Sequence, residues 1–180
     1  MVHHLGEVSL RPPDCSDTQA LYEMKNDPET AMLLGGFVHG YSRASILEWI
    51  EFHRKQTNEV VWIIAEADTD QCVGHVGLYQ IDYRVGLAEF GIVIGNPTFR
   101  GRGLGRLCTQ AVVNYGFQQL NLNRISLEVL AINERAANLY HSMGFRDEGR
   151  LRQAQYRNGQ HLDILLMALL REEYLHECSA

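Results

Sequence analysis

The chain has 180 residues, of which 46% are hydrophobic and 21% charged, as expected for one globular domain with a sizeable core. Its formal net charge of −6 argues against nucleic acid as a partner, because nucleic-acid binders need a basic surface. No apolar run approaches the roughly 18 residues that span a membrane, and the N-terminus lacks the features of a secretory signal. We therefore expect a single cytoplasmic domain over residues 1–180, with its core at about 7–172.

Histidine and cysteine give no sign of a metal site. The chain has eight histidines but no H-E-x-x-H motif, and the close pair His3 and His4 lies at a terminus that we expect to be mobile. The cysteines are far apart and form no C-x-x-C pair, so we expect reduced thiols and no disulfide framework. The four cysteines are Cys15, Cys72, Cys108 and Cys178.

The N-terminal half begins with a short predicted strand, VSLRPP, which ends at its prolines. The next segment, SDTQALYEMKND, predicts a first helix with Ser16 or Asp17 as its N-cap and an end before Pro28. A glycine-containing loop at 35–40 separates it from SRASILEWIEFHRKQ, a second predicted helix with Ser42 as its cap. Its apolar face contains Ile46, Trp49, Ile50 and His53.

The C-terminal half alternates between strand-like and helix-like patterns. VVWIIAEA, CVGHVGLYQI and GLAEFGIVIG predict an antiparallel meander, because short turn sequences connect them. From Gly103 to about Leu120 the apolar period changes to about 3.6, which predicts a helix. RISLEVLA predicts a strand, Asn133–Met143 a helix that ends at Gly144, and the remainder two strands joined by a type I′ turn at Asn158-Gly159. The predicted apolar stripe of the long helix contains Leu104, Leu107, Cys108, Ala111, Val112 and Tyr115.

These elements predict an α/β (α+β) fold. Because the long helix connects a strand that ends near Ile94 to one that begins near Ile125, we expect that pair to be parallel with a right-handed crossover. The meander before it is antiparallel. The sheet should therefore be mixed but mostly antiparallel, with about seven strands and with helices on both faces.

The stretch RGRGLG, residues Arg100 to Gly105, follows a predicted strand and precedes the long helix. Such a turn aims free backbone N–H groups and the positive end of the helix dipole at one point, which attracts phosphate. The stretch is not a Walker A loop, since it lacks Gly-Lys-Ser/Thr, nor a dinucleotide motif, since Arg106 stands where the third glycine is required. By itself it is equally compatible with an ordinary turn.

A second motif changes this interpretation. RGRGLG matches the [RQ]-x-x-G-x-[GA] signature of the GNAT superfamily of N-acetyltransferases, and NERAANLYHSMGF, residues 133–145, matches its second signature at the expected separation. The chain therefore resembles this superfamily from its first predicted strand to its last. AEFGIVIGNPTFRGRG and YRNGQHLDILLMALL further resemble the subgroup that contains ribosomal-protein N-terminal acetyltransferases and spermidine N-acetyltransferases.

The resemblance implies an enzyme that transfers an acetyl group from acetyl-CoA to a primary amine by direct attack in a ternary complex, without a covalent enzyme intermediate or a metal. The amine would belong to a small molecule, such as a polyamine, or to a peptide N-terminus. Family members often dimerise, so a homodimer is an expected assembly, although no residue pattern here specifies it. The alternatives are a non-catalytic acyl-CoA-binding module, such as a sensor, and, with less support, a nucleotide-binding protein.

In this family the glycine loop binds the pyrophosphate of acetyl-CoA, and the preceding strand pairs its backbone with the pantetheine arm. Asn133 would contact the cofactor and could also cap the following helix. The three arginines of the loop would add charge-assisted contacts to the phosphates. The cofactor-binding residues that the resemblance implies are Ile92, Val93, Ile94, Arg100, Gly101, Arg102, Gly103, Leu104, Gly105, Arg106 and Asn133.

The resemblance also implies catalytic residues. Tyr140 would stand near the thioester sulfur and donate a hydrogen bond to the departing thiolate, although its helical spacing alone fits a core aromatic. Glu89 would accept the proton of the ammonium, because it alternates onto the strand face opposite Phe90. Since an ordinary glutamate is a weak base for this task, Glu89 needs a raised pKa or a mediating water; its alternative is a surface or ion-paired carboxylate. Glu128 on the neighbouring strand is the reserve candidate.

Acceptor pockets in this family involve the first two helices and the C-terminal hairpin, which correspond here to Met24–Phe52 and Gln153–His161. In the second helix, Glu48 and Glu51 would tolerate a polyamine. A solvated helix face is the favoured interpretation of these two residues, so the identity of the acceptor stays open at this point.

Overall fold

The computed structural model describes residues 2–33 and 40–177, and within them it contains eight strands and six helices. The strands are β1 (His3–Leu5), β2 (Val8–Arg11), β3 (Val60–Glu66), β4 (Cys72–Asp82), β5 (Leu87–Ile94), β6 (Arg124–Leu130), β7 (Arg146–Arg157) and β8 (Gln160–Leu170). The helices are α1 (Thr18–Asn26), α2 (Pro28–Leu33), α3 (Arg43–Lys55), α4 (Leu104–Gln118), α5 (Glu134–His141) and α6 (Arg171–Glu177). Most of the predicted loop at 35–40, and Cys178, lie outside the described residues.

The strands form one sheet in the order β1-β2-β3-β4-β5-β6-β8-β7. Strands β5 and β6 are parallel, and every other neighbouring pair is antiparallel. The predicted meander, the parallel pair around α4 and the mixed, mostly antiparallel sheet are therefore confirmed. The additional elements β1, α2 and α6 have three to seven residues each, too few for a hydrophobic period to be recognised in the sequence.

The prediction of a mobile N-terminus was wrong. Residue His3 lies in β1, opposite Leu10 of β2, and its ring packs against Trp62 and Tyr115 at centroid separations of 5.8 and 6.0 Å. Gly6, with a φ of 74°, supplies the tight turn between the two strands. The aromatic contacts come from β3 and α4, which are distant in sequence, so the local pattern could not indicate them.

Helix capping agrees with the sequence in one case and corrects it in another. Ser42 caps α3 as predicted, because its hydroxyl accepts a hydrogen bond from the Ser45 backbone N–H at 3.0 Å. Ahead of α1, Asp14 is the capping residue, and its carboxylate accepts from the Ser16 N–H at 3.0 Å. Asp17 occupies the predicted N-cap position of α1, but its side chain does not cap that helix. A short 3₁₀ turn precedes α1, and the Asp17 carboxylate accepts a hydrogen bond from the Asp14 N–H instead.

The predicted turns have the backbone angles that their residues favour. Gly144 ends the α5 segment with a φ of 87°. Asn158 and Gly159, between β7 and β8, have φ values of 46° and 81°, and two consecutive positive values are what a type I′ turn requires. Both turn predictions are confirmed.

The sheet has an apolar core on each face. Alternate residues of β3 separate the two: Trp62 and Ile64 join the larger cluster with α4, whereas Ile63 and Ala65 join a smaller one with α1 and α3. Within α4 the predicted stripe is correct except at Leu107, which is 38% exposed. The stripe that packs on the sheet instead passes through Leu104, Cys108, Val112, Val113 and Phe117.

Strands β5 and β6 separate halfway along their length. They pair only from Leu87 to Glu89 on β5 and from Arg124 to Ser126 on β6. On its other side β5 stays paired with β4 as far as Ile94. The second half of β5 therefore presents an edge with free backbone groups toward β6, which is an opening in the middle of the sheet.

Substitution of Gly74 by alanine is expected to lower the free energy of unfolding by about 3 kcal/mol, because an added Cβ would lie 2.1 Å from the backbone oxygen of Val93. The clash would push β4 away from β5 beside this opening. Gly149→Ala is the matched control, since its Cβ would meet only the Leu166 side chain, at 3.6 Å. Urea unfolding of both variants measures the difference, and equal stabilities would contradict the prediction.

Candidate active site

A cleft of about 830 Å³ occupies the opening between β5 and β6. Its walls are the free half of β5, the loop that leads into α4, the end of β6 and the start of α5. Every site residue predicted from the sequence lines this cleft except Arg102, and the reserve candidate Glu128 lines it too. The fold thus brings together two motifs that are separated along the chain.

The glycine loop has the geometry of an anion site. Gly101 and Gly103 both have a φ of 81°, a conformation that side chains rarely adopt. A Cβ at Gly103 would meet no atom within 4 Å, so this backbone faces open space. Helix α4 begins at the next residue, and the first intrahelical bond joins the Leu107 N–H to the Gly103 oxygen. The N–H groups of the first turn are therefore free to bind phosphate.

The three arginines of the loop have structural partners. Arg100 donates to the backbone oxygens of Ile94 and Gly95 at 3.2 and 3.1 Å, which fixes the end of β5. Arg102 pairs with Glu7 at 2.8 Å, outside the cleft. In this structure Glu7 binds the Arg102 side chain, and the predicted contact of Arg102 with the phosphates stays a prediction.

The remaining loop arginine and one missed residue stand closer to the anion site. Arg106 lines the cleft and donates to the Ser142 hydroxyl at 2.6 Å. Arg135, in the first turn of α5, also lines the cleft, and its guanidinium lies 3.8 Å from the Cβ position of Gly101. Among the residues that the structure describes, none forms an ion pair with Arg135. Arg135 lies close to the loop only in the folded chain. In the sequence, only its position within the second motif could have indicated that it is a cofactor-binding candidate.

Substitution of Arg135 by glutamine is expected to raise the Kd for CoA about tenfold, because one charge-assisted contact to a phosphate is lost. The effect should shrink as salt screens the remaining attraction. Arg84→Gln is the control, since Arg84 is 90% exposed in the turn at the opposite end of β5. Calorimetric titration with CoA measures both variants, and an unchanged Kd for Arg135→Gln would contradict this role.

The cofactor residues on β5 and α5 occupy opposite sides of the cleft. Ile92, Val93 and Ile94 lie in the half of β5 whose edge toward β6 is free, so the backbone there can pair with an extended ligand. Asn133 caps α5, accepting a hydrogen bond from the Ala136 N–H at 3.2 Å, and it also lines the cleft. The capping role is confirmed, whereas the contact with the cofactor stays a prediction.

Tyr140 reaches the cleft from the buried side of α5. Its ring packs edge-to-face against Phe90 at 6.2 Å and lies 5.8 Å from Phe145, so the alternative of a core aromatic describes its packing correctly. The residue nevertheless lines the cleft. Burial raises the pKa of Tyr140 to about 12, which keeps the phenol protonated and able to donate a hydrogen bond.

Glu89 stands where β5 and β6 begin to separate. Burial and the nearby Glu128 carboxylate raise the pKa of Glu89, which makes it a better proton acceptor. Its carboxylate accepts a hydrogen bond from the Gln80 amide at 3.1 Å, and no described cation forms an ion pair with it. Of the two alternatives for Glu89, the structure does not show an ion-paired carboxylate, whereas the side chain is half-buried and partly exposed. Its role as the base stays a prediction.

Besides Arg135, four polar residues of the cleft were not singled out as site residues from the sequence. They are Thr30, His75, Tyr79 and Gln155. Thr30 lies in α2, and Gln155 lies in β7 directly after a register shift. Both positions fall within the segments expected to form the acceptor pocket. His75 and Tyr79 alternate on β4 and reach the cleft because Gly77 stands between them. The sequence signal that could have indicated them is a pair of polar residues placed two positions before and two positions after a glycine in a buried strand.

Three general features concern the described residues as a whole. No group of three or more histidine, cysteine, aspartate or glutamate side chains among them could hold a metal ion. None of the described helices is long and apolar enough to cross a membrane. Cys15, Cys72 and Cys108 are free thiols, as predicted.

Known proteins resemble this chain over most of its length. The "Acetyltransferase (GNAT) domain" family matches residues 7–146. The "uncharacterized N-acetyltransferase p20" of Bacillus licheniformis is 29% identical over 93% of this chain and 94% of its own length. The "putative ribosomal N-acetyltransferase YdaF" of Bacillus subtilis is 31% identical over 56% of this chain and 55% of its own length.

A solved structure places a cofactor in this fold. The spermidine N-acetyltransferase of Vibrio cholerae, crystallised in complex with CoA and spermine, superposes with a TM-score of 0.86 at 28% identity, covering 94% of this chain and 98% of that one. The free edge of β5, the glycine loop and the free N–H groups of α4 fit the same cofactor here. The chain belongs to the GNAT family and is an N-acetyltransferase that uses acetyl-CoA.

Proposed function

We propose that this enzyme acetylates a primary amine by direct attack, with Glu89 as the general base and Tyr140 as the hydrogen-bond donor to the leaving thiolate. The observation that carries the proposal is the opening between β5 and β6. It combines an anion site, a free strand edge and these two side chains in one cleft. Bound acetyl-CoA supplies the activated acetyl thioester.

The first requirement is removal of a proton from the acceptor. An alkyl ammonium has a pKa near 10.4, so the free base is scarce at neutral pH. Glu89 has a raised pKa and stands where β5 and β6 begin to separate, so it can accept this proton directly or through one water. The neutral nitrogen then forms a bond to the acetyl carbon while the carbon–sulfur bond breaks.

The second requirement is stabilisation of the sulfur that leaves. With a pKa of about 12, Tyr140 is a weaker acid than a thiol of pKa about 8.5, so full proton transfer to the thiolate is uphill by about 5 kcal/mol. Tyr140 therefore acts as a hydrogen-bond donor to the developing negative charge. Water protonates the thiolate after it leaves.

Two acceptor classes have support from relatives. The solved relative from Vibrio cholerae is a spermidine N-acetyltransferase, which supports a polyamine. The Bacillus subtilis relative is described as a putative ribosomal N-acetyltransferase, which supports a protein N-terminus over the shorter region that it matches. Both classes present a primary amine, so the chemistry at Glu89 and Tyr140 is the same for either.

The test is release of free CoA thiol from acetyl-CoA, followed optically with spermidine, spermine, N-terminal peptides and amino acids as acceptors. Acceptor-dependent release, together with an acetylated product in mass spectrometry, is the expected result. Clear binding of acetyl-CoA without release for any acceptor would favour a sensor. Greater thermal protection by ATP than by acetyl-CoA would favour a nucleotide-binding protein.

A further inference from the structure

We propose that the inner part of the acceptor cleft binds a carboxylate, so that the enzyme prefers an amine that also carries an acidic group over a polyamine. Two residues of this part, His75 and Tyr79, line the cleft, and Trp49 and Lys25 pack behind His75. We name these four residues the distal subsite. The inference rests on the proposed function and narrows the class of acceptor.

The distal subsite lies on the same face of the sheet as Glu89. Tyr79 is the register partner of Glu89, and His75, four residues earlier in β4, points to the same face. At about 3.4 Å per residue the two positions are about 14 Å apart along the strand. Between these two positions, Gly77 of β4 pairs with Gly91 of β5, and neither residue has a side chain. The Tyr79 ring lies over both glycines. An extended acceptor can therefore follow this floor inward from Glu89.

His75 has an unsatisfied polar atom beside the cleft. The residue lines the cleft and is only 8% exposed, and its Nδ1 atom is buried without a hydrogen-bond partner. Buried polar atoms are nearly always hydrogen-bonded, so an exception inside a substrate cleft indicates a group that a ligand satisfies. Burial, with Lys25 and His53 nearby, lowers the pKa of His75 to about 3, so the ring stays neutral and keeps one N–H donor.

Lys25 adds positive charge without a described counterion. Its Nζ lies 4.6 Å from the centroid of Trp49 and 5.3 Å from that of Tyr41, and the Trp49 ring lies 5.1 Å from His75. No described carboxylate pairs with Lys25, and the sequence LGGFVH at 34–39 contains no acidic residue. Burial lowers the pKa of Lys25 to about 8, so it is still mostly a cation at neutral pH.

The charges therefore change sign along the cleft. Glu89 and Glu128 line its outer part and attract the reacting amine. At the inner part, the Glu59 carboxylate is hydrogen-bonded to His53, whereas no described carboxylate pairs with Lys25. A second ammonium would be repelled there, whereas a carboxylate could approach Lys25 and accept a hydrogen bond from His75.

Three acceptors of equal chain length test the subsite: 6-aminohexanoate, 1,6-diaminohexane and hexylamine. They share the reacting amine and differ only at the far end. The expected kcat/KM is about tenfold higher for the carboxylate than for the diamine. Lys25→Met should abolish this preference, while Lys55→Met, at a lysine that is 76% exposed on α3, should retain it.

A second variant separates binding from folding. His75→Leu removes the unsatisfied nitrogen, so its melting temperature should be equal to or above that of the original enzyme, while KM for 6-aminohexanoate rises. A preference for the diamine, or a preference for the carboxylate that survives in both Lys25→Met and His75→Leu, would overturn the distal subsite alone. Absence of transfer to every acceptor would overturn the proposed function as well.

Discussion

Substitution of Tyr140 by phenylalanine is expected to lower kcat by about 10²- to 10³-fold, which is the effect of removing one donor that stabilises a developing anion. The Kd for acetyl-CoA should change little, because the phenol contributes to bond breaking rather than to the phosphate and backbone contacts that bind the cofactor. Single-turnover acetyl transfer measures the chemical step, and calorimetric titration with CoA measures binding.

Tyr115→Phe is the matched control for the Tyr140 variant. Tyr115 is a half-buried aromatic of α4 that packs against Trp62 at 4.9 Å and lies outside the cleft. Both variants keep the ring and lose only a hydroxyl, so neither should unfold the protein. An equal kcat for the two variants, at normal stability, would show that Tyr140 is a core aromatic and nothing more.

The pH dependence of the Tyr140 variant distinguishes hydrogen bonding from proton transfer. Because burial raises the pKa of Tyr140 to about 12, the phenol stays protonated throughout the working range of pH. Its loss should therefore lower the rate by the same factor from about pH 6 to pH 9. A loss that grew toward high pH, where protonation of the thiolate by water becomes harder, would instead indicate full proton transfer from Tyr140.

The parts of the fold that were predictable are those whose signal is local. The strand-like runs of β3 to β5 with short turns between them, the helical period of α4 and the turn residues Gly144, Asn158 and Gly159 each indicate a structure that nearby residues determine. Strand β1 was not predictable because its stability comes from Trp62 and Tyr115, which are distant in sequence. Short elements that are stabilised by tertiary contacts cannot be predicted from hydrophobic periodicity.

The candidate site shows the same division. The glycine loop and the α5 motif were recognisable because together they match the two signatures of the GNAT superfamily. The structure gives Gly101 and Gly103 a positive φ and makes Asn133 the cap of α5. The direction of long side chains was not recognisable. Arg102 reaches Glu7 instead of the cleft, while Arg135, which was not singled out, lies beside the loop. The partner of an arginine is decided by which carboxylates the fold brings near it.

The pKa directions of the two catalytic candidates follow from the opening itself. It is deep enough to desolvate both Glu89 and Tyr140, and desolvation favours the neutral form of each. In the proposed mechanism the change makes Glu89 a better base and keeps Tyr140 a hydrogen-bond donor. Desolvation therefore raises the pKa of both the proposed proton acceptor and the proposed hydrogen-bond donor. The Glu128 carboxylate raises the pKa of Glu89 further.

Substitution of Glu89 by glutamine is expected to lower kcat/KM for the acceptor by about 10²-fold or more at neutral pH, the usual effect of removing a general base. In the original enzyme the base works only when ionised, so activity should fall as the pH drops through the raised pKa of Glu89. The glutamine variant should lack this acidic limb, and its rate should rise with pH only as the free amine becomes available.

Glu128→Gln provides the decisive comparison with the Glu89 variant. The Glu128 carboxylate raises the pKa of Glu89, so its neutralisation should lower that pKa and move the acidic limb of kcat/KM to lower pH, with the maximal rate nearly unchanged. If Glu128 were the base, the same substitution would remove the limb and most of the rate, while Glu89→Gln would only shift it. Profiles of kcat/KM against pH for the three proteins, measured with one acceptor at fixed ionic strength, separate these outcomes. Retention of the limb and of most of the activity in both variants would show that water, and neither carboxylate, accepts the proton.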